Sequence, residues 1–216
     1  MYSWVSGTKN PLAGKCPFDC RYCFVKDLRK RSPSCHKKYS RELRLDNRVM
    51  SSKVHAGDFF LCSCNDLFAA PVEIIHKILN WANKQNCKWI IQTKNPSRAM
   101  EFELPIKSII GTTIETNRAD ELKEISKAPP PEQRAIGLSW LPRERFVTIE
   151  PILDFDLDEF LFLIGMARPD FINIGADSKN HGLPEPSADK IHALIYGITK
   201  MGIPIRQKKN LKRLLK

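Results

Sequence analysis

Short, nearly uninterrupted apolar runs alternate along this chain with segments whose apolar residues recur every three or four positions. The runs predict strands at Trp4 to Val5, Phe59 to Cys62, Trp89 to Gln92, Ser108 to Ile114, Phe146 to Glu150 and Phe171 to Ile174, with a short last one at Ile203 to Ile205. Runs that are apolar on both faces are the pattern of strands covered on both sides. Pro71 opens a helix with Val72, Ile75, Leu79 and Ala82 on one face, since a first turn tolerates proline. Asp156 precedes a second helix, with Leu157, Phe160, Leu161 and Ile164 inward. Ser187 caps a third, with Ile191, Leu194, Ile195 and Ile198 inward and Gly202 ending it. Asn95 to Phe102 and Asn117 to Ser126 predict two shorter helices. Pro129-Pro130-Pro131 reads as a rigid surface loop, and Leu28 to Asp58 as an irregular stretch that covers or flanks an active site. Alternation with short links implies right-handed crossovers and a parallel sheet. About six such units give an α/β fold, a partial (β/α)6 barrel with helices outside, as a single domain over residues 1–216.

Composition narrows the classes. The length suits one full hydrophobic core. No apolar run approaches the ~20 residues that cross a bilayer, which excludes a spanning segment and gives no membrane partner. Met1-Tyr2-Ser3-Trp4 lacks the charged-then-apolar start of a secretory signal. Without a signal, seven cysteines, an odd number, argue for reduced thiols in the cytoplasm. The net charge of +11 is concentrated. Lys26 to Arg48 carries nine Lys/Arg against three acids, and Arg206 to Lys216 carries six against none. The irregular basic segment 26–57 and the basic tail 206–216 are what a polyanion such as DNA or RNA would meet, or else solvated basic surface.

The chemistry concentrates in the loop 14–24. Lys15-Cys16-Pro17-Phe18-Asp19-Cys20-Arg21-Tyr22-Cys23-Phe24 sets three cysteines in a C-x3-C-x2-C spacing with no fourth nearby. Thiolates are soft ligands for iron–sulfur clusters or zinc. A cluster of four irons with three cysteine ligands leaves one iron open to bind and reduce something. Cys20, Cys23 and Cys35 or His36 could mimic a zinc site, but structural zinc takes four closed ligands and no second C-x2-C or H-x3-H pair exists here.

The cysteine spacing resembles the cluster loop of radical S-adenosylmethionine enzymes. Asn10-Pro11-Leu12-Ala13-Gly14 before it is similar to the lead-in of the spore photoproduct lyase-like branch and of a related phage-associated family. Lys15 stands where relatives usually have glycine, with Gly14 one position earlier. The resemblance implies a 4Fe-4S cluster on Cys16, Cys20 and Cys23, S-adenosyl-L-methionine as cofactor, and an electron donor such as flavodoxin or ferredoxin. It further implies a 5′-deoxyadenosyl radical that abstracts hydrogen from a substrate, with nucleic acid among the substrates. Tyr22 would lie with its backbone against the adenine.

In a parallel barrel, ligands sit at the C-terminal ends of strands. There the chain places Cys62-Ser63-Cys64-Asn65-Asp66, Gln92-Thr93-Lys94, Thr112 to Asn117, Glu150-Pro151 and Asn173 to Lys179. Carboxylates and amide oxygens suit the ammonium and ribose of the cofactor, and a cation suits its carboxylate. By position Ser63, Asn65 and Asp66 replace the Gly-Gly-Glu segment of many relatives, Thr93 and Lys94 reach the methionine carboxylate, and Glu115 with Asn117 meets the ribose. Glu150-Pro151 resembles a pair in the phage-associated family. Each also has a structural explanation: Ser63, Asp66, Thr116 and Asn117 suit helix caps, and Glu150 suits pairing with a buried arginine. Cys62 and Cys64 alternate on a strand, so one faces the site. Cys64 is then a hydrogen donor to substrate, or a core residue. Cys87 reads as a structural residue ending a helix, His76 as surface, and His181 as a polar loop residue within reach of substrate. Trp4, Trp81, Trp89 and Trp140 fall among apolar neighbours and read as core. Two other readings compete: a zinc-stabilised basic nucleic-acid binder, and an electron carrier whose fourth ligand is Cys35, Cys62 or Cys64.

Overall fold

The computed structural model describes residues 4–216. Met1 to Ser3, part of the N-terminal segment read above for a secretory pattern, lie outside the described residues. The strands are β1 (Gly7–Lys9), β2 (Leu12–Ala13), β3 (Arg44–Leu45), β4 (Asp58–Leu61), β5 (Lys88–Gln92), β6 (Ser108–Thr113), β7 (Glu144–Ile149), β8 (Phe171–Ile174) and β9 (Ile205–Gln207). Seven of them form one sheet in the order β1-β4-β5-β6-β7-β8-β9, and every pairing in it is parallel. The sheet curls into a half-barrel with helices around it. β2 and β3 form a separate antiparallel pair.

The helices are α1 (Phe24–Arg31), α2 (Pro33–Tyr39), α3 (Asn47–Met50), α4 (Val72–Asn83), α5 (Pro96–Ala99), α6 (Ala119–Lys123), α7 (Pro131–Ser139), α8 (Leu157–Ala167) and α9 (Ala188–Lys200). Alternation along the strands sorts the core into two layers. Trp89, Ile91, Ile110, Val147 and Ile172 face outward and pack with Ile75, Leu138, Phe160 and Leu194 of the helices. Ile90, Ile109, Phe146 and Phe171 face inward with Trp4, Val5 and Phe60 against them, plugging the bottom of the half-barrel. Two positions further along, Gln92, Thr148 and Asn173 share that inward phase, as does Thr113 four positions beyond Ile109, so a polar layer lies above the apolar plug.

Several elements depart from the sequence reading. The first strand covers Gly7–Lys9 rather than Trp4 to Val5, which sit below it with Trp4 edge-on to Phe146 and Phe171. Val72 is 42% exposed, because Ile78 and Trp81 join the buried arc of α4 and draw its centre away from Val72. The irregular stretch holds the end of α1 with α2 and α3; α1 carries only Phe24, Val25 and Leu28 on its apolar side and buries Val25 alone, a stripe too short to stand out among its charges. The proline run opens α7, where Pro131 takes a first-turn position that needs no N–H. Trp140 lies just past that helix, four residues after Ile136 on the outward side, and is 71% exposed rather than core. Cys87 is buried beyond the end of α4, in the turn leading to β5. The tail is not a free basic arm, for Leu211 is fully buried and Arg213 pairs with Glu185.

Candidate active site

The C-terminal ends of the strands open into a cleft of about 690 Å³. Its wall includes Cys16, Cys20, Tyr22 and Cys23 of the loop after β2, and Asn10, Ser63, Cys64, Asn65 and Asp66 at the ends of β1 and β4. Gln92, Thr93 and Lys94 follow from β5, Glu150 from β7, and Asp177 and His181 from beyond β8.

The cysteine loop is strapped down along its length. Gly14 and Lys15 donate backbone N–H groups to the carbonyls of Lys38 (2.9 Å) and Arg41 (2.7 Å) at the end of α2. Arg21 N donates to Ile125 O, and Lys127 N to Phe18 O, each at 2.8 Å. Gly14 has φ +107° and its α-carbon faces the 42–43 backbone so closely that a Cβ would lie 2.6 Å from Leu43 Cα, so glycine is required at this position. Asp19 takes a left-handed φ of 47°, and Cys23 N closes onto Cys20 O at 3.2 Å. The Cys20 thiol meets the Ser126 hydroxyl at 3.1 Å. Burial pushes the Cys16 thiol up to about 12, with Asp66 adding to the effect, and burial also raises Cys23. Thiolates here therefore call for a positive partner, which a soft metal or cluster supplies. Among the described residues no three Cys, His, Asp or Glu side chains gather at one point as a single metal ion needs. The donor set, three soft thiols on one loop at the cleft wall, fits an iron–sulfur cluster better than a closed tetrahedral site.

The ends of β1 and β4 are built around two asparagines. Asn10 Oδ1 accepts from Ser63 Oγ at 3.1 Å and from Cys64 N at 3.0 Å, fixing the 63–64 turn. Asn65 Nδ2 donates to the carbonyls of Leu12 (3.3 Å) and Gly14 (3.1 Å), which holds the cysteine loop. Those two bonds fix the amide orientation, so its Oδ1, buried in the cleft wall, is left without a protein partner. An acceptor held in this way suits an ammonium. Cys62 lies past β4 with φ 58°, so strand alternation stops there and both Cys62 and Cys64 line the cleft, Cys62 almost wholly buried.

Asp66 and Thr93, both in the cleft wall, are hydrogen-bonded to each other. Asp66 accepts from Phe68 N (3.1 Å), Thr93 Oγ1 (2.7 Å) and Lys94 N (2.6 Å), capping the short turn after β4 and fixing the backbone that presents Lys94. Burial pushes its carboxyl up, and those donors work against the rise. Lys94 Nζ contacts the Tyr22 hydroxyl at 2.6 Å and pairs with Glu115, to which Tyr22 also donates. Glu115 is fully buried behind these two residues and its other oxygen accepts from Arg134 Nη1 at 2.8 Å. Burial would raise the Glu115 carboxyl, but Arg134 and Lys94 outweigh it and hold it at about 2. Asn117 lies away from the cleft wall, against the start of α8, where its Oδ1 accepts from Asp156 N at 3.0 Å.

On the far rim, Glu150 pairs with Lys208 at 2.5 Å and accepts from Asn210 at 3.2 Å. The partner expected for it was an arginine; the buried arginine, Arg134, serves Glu115 instead. Gly175 makes room for the Glu150 side chain, since a Cβ there would lie 2.9 Å from its Cδ. His181 Nδ1 meets Asp177 at 2.6 Å while its Nε2 faces Asp27 of α1 at 3.6 Å, so the loop after β8 leans on the helix after the cysteines. Burial disfavours the Asp177 carboxylate, but its bonds from His181 outweigh that and hold it below the usual range. Asn10, Arg134 and Lys208 carry no motif of their own in the sequence; Asn10 alone was within reach, as the first residue of the Asn-Pro lead-in.

Comparison with protein-family models and with curated proteins found no match. Among solved structures, a spore photoproduct lyase mutant superposes with a TM-score of 0.68 at 8% identity, over 96% of this chain and 78% of that one. A second spore photoproduct lyase mutant, with bound AdoMet and dinucleoside spore photoproduct, gives 0.54 at 11% identity, over 89% and 61%. Streptococcus suis SuiB bound to S-adenosylmethionine gives 0.57 at 9% identity, over 94% of this chain and 50% of its own length. At these identities the likeness is one of fold, and it is the fold that the cysteine-loop resemblance implied.

Proposed function

We propose that this chain is a radical S-adenosylmethionine enzyme, in which Cys16, Cys20 and Cys23 hold a 4Fe-4S cluster and the adjoining cleft takes S-adenosyl-L-methionine. The observation that carries the reading is the convergence of those three thiols, the partnerless Asn65 Oδ1 and the Lys94 ammonium on one cleft at the strand ends. Cluster and cofactor together, when bound and supplied with an electron by a donor such as flavodoxin or ferredoxin, yield a 5′-deoxyadenosyl radical that takes hydrogen from substrate. The residues of the chain bind and orient. Asn65 Oδ1 accepts from the methionine ammonium, with the Ser63 hydroxyl beside it, and Lys94 receives the carboxylate. The Tyr22 backbone would hold the adenine. Asp66 and Thr93 keep the Lys94 backbone in place, and Glu115 holds its ammonium. Cys64, part-exposed in the wall, would return a hydrogen atom to the substrate radical, its thiyl then taking an electron from the same donor and a proton, and Glu150 on the opposite rim would contact the substrate. The apolar plug below and the aromatic wall of Phe18, Phe24 and Phe60 exclude water from the reacting centre.

Substrate class is argued from charge. α1 contributes Phe24, Val25 and Leu28 to the cleft, and the outward cations Lys30, Arg31, Lys37 and Arg41 continue from it along α2. A polyanion lying there reaches the cleft, so DNA or RNA is the substrate we favour. Reconstitution with iron and sulfide under anaerobic conditions tests the assignment. Four irons per chain are expected, with loss of the cluster when Cys16, Cys20 or Cys23 is individually replaced by Ala. Stoichiometric zinc in place of iron, or a cluster that instead depends on Cys35 or Cys62, contradicts it.

A further inference from the structure

We propose that Arg134 is a positioning residue of the cofactor site, acting through Glu115 to keep the Lys94 ammonium available to an anionic group in the cleft. The inference rests on the function proposed above. A lysine ammonium on its flexible four-carbon stem is placed only by what it binds. Lys94 binds Oε1 of Glu115 together with the Tyr22 hydroxyl, while Oε2 is reserved for Arg134.

Arg134 cannot follow the carboxylate if it moves. Its Nε donates to Pro129 O at 2.5 Å and its Nη1 to Thr113 O at 2.9 Å, tying α7 to the end of β6, and the side chain is fully buried. The guanidinium thus neutralises Glu115 from the side away from the cleft. One carboxylate then stands between two cations, and the cation that lines the cleft is Lys94. The surplus positive charge is offered to the carboxylate of S-adenosylmethionine. Without Arg134, Lys94 becomes the only counter-ion of a fully buried carboxylate and is drawn back into the wall.

The test is S-adenosylmethionine affinity, read by anaerobic titration calorimetry on cluster-loaded protein, with turnover measured separately. Variants are Arg134→Gln, Lys94→Met and their combination. Arg134→Gln is expected to weaken affinity about tenfold with a smaller effect on kcat, the size seen for coupled neighbours. In the Lys94→Met background it should add less than about twofold, because the lysine is the route of the effect. Arg134→Lys, which keeps the charge, should restore part of the affinity. If Arg134→Gln does not fold, Arg134→Met with Glu115→Gln removes both fully buried charges, leaves only the part-exposed Lys94 without an anion, and is compared with and without Lys94→Met. Equal losses in the two backgrounds, or unchanged affinity, overturn the inference while leaving the proposed function standing. Wild-type protein that holds its cluster but binds no S-adenosylmethionine overturns both.

Discussion

Replacing Glu115 by Gln keeps the shape of the side chain and removes one charge from a fully buried network. Arg134 then faces a neutral amide with its guanidinium wholly enclosed, and Lys94 loses its anion. Holding the carboxyl at about 2 instead of its ordinary 4.5 corresponds to about 3 kcal/mol of stability. The cost of breaking a buried pair by removing one partner, roughly 3–5 kcal/mol, agrees. For a chain of this size about 3 kcal/mol lowers Tm by about 6–12 °C. The sign of the pH dependence follows from the depressed value. The contribution is fully present above about 4.5 and is lost as pH falls through that range towards about 2. Differential scanning calorimetry of wild type and Glu115→Gln should therefore show a gap that is constant near neutrality and closes on acidification below about 4.5. A gap under about 2 °C at neutral pH, or one that does not narrow in acid, would show that Glu115 does not stabilise the fold through these pairs.

Other substitutions probe the rims of the cleft. Gly175→Ala pushes the far end of Glu150 off Lys208 and Asn210, a flexible group that can swing away, so Tm should change by no more than about 3 °C. Turnover should nevertheless fall about tenfold or more, as in Glu150→Gln, because a small misplacement at a reacting centre is costly. Asn10→Ala leaves the Cys64 N–H and the Ser63 hydroxyl without their acceptor, costing about 1–3 kcal/mol in denaturant titrations. It should also speed the reaction of Cys64 with a thiol reagent, and Asn10→Asp, which keeps the acceptor, should not. Trp140→Ser removes an exposed ring and should leave stability within about 0.5 kcal/mol.

The parallel sheet was legible because its strands are buried on both faces and therefore read as unbroken apolar runs; Phe171–Ile174 matches residue for residue. Helices packed by one apolar stripe, α8 and α9, were equally visible, down to the Ser187 cap whose hydroxyl accepts from Lys190 N. α1 and α7 were not. α1 is held by its place after the cysteine loop and buries a single residue, while α7 turns the charged Arg134 inward, which breaks any apolar period. The same inward arginine hid the organisation of the cleft. Strand-end reasoning gathered Ser63, Cys64, Asn65, Asp66, Lys94 and Glu150 around one cleft, since strand ends converge by topology. Which of those groups remain open to a ligand depends on partners distant in sequence: Asp66 is saturated from β5 and Glu115 from α7, whereas Asn65 keeps a bare acceptor. Charge counting likewise located the basic tail, but not that Lys208 and Arg213 spend their charge on Glu150 and Glu185.

The most direct measurement is the fate of S-adenosylmethionine with the anaerobically reconstituted, dithionite-reduced protein, followed by chromatography of the products. 5′-Deoxyadenosine and methionine are expected in equal amounts, formed slowly without substrate and not at all by the Cys16→Ala variant. A protein that carries its four irons, binds the cofactor and leaves it intact under reduction would contradict the radical chemistry and reduce the chain to a binding fold.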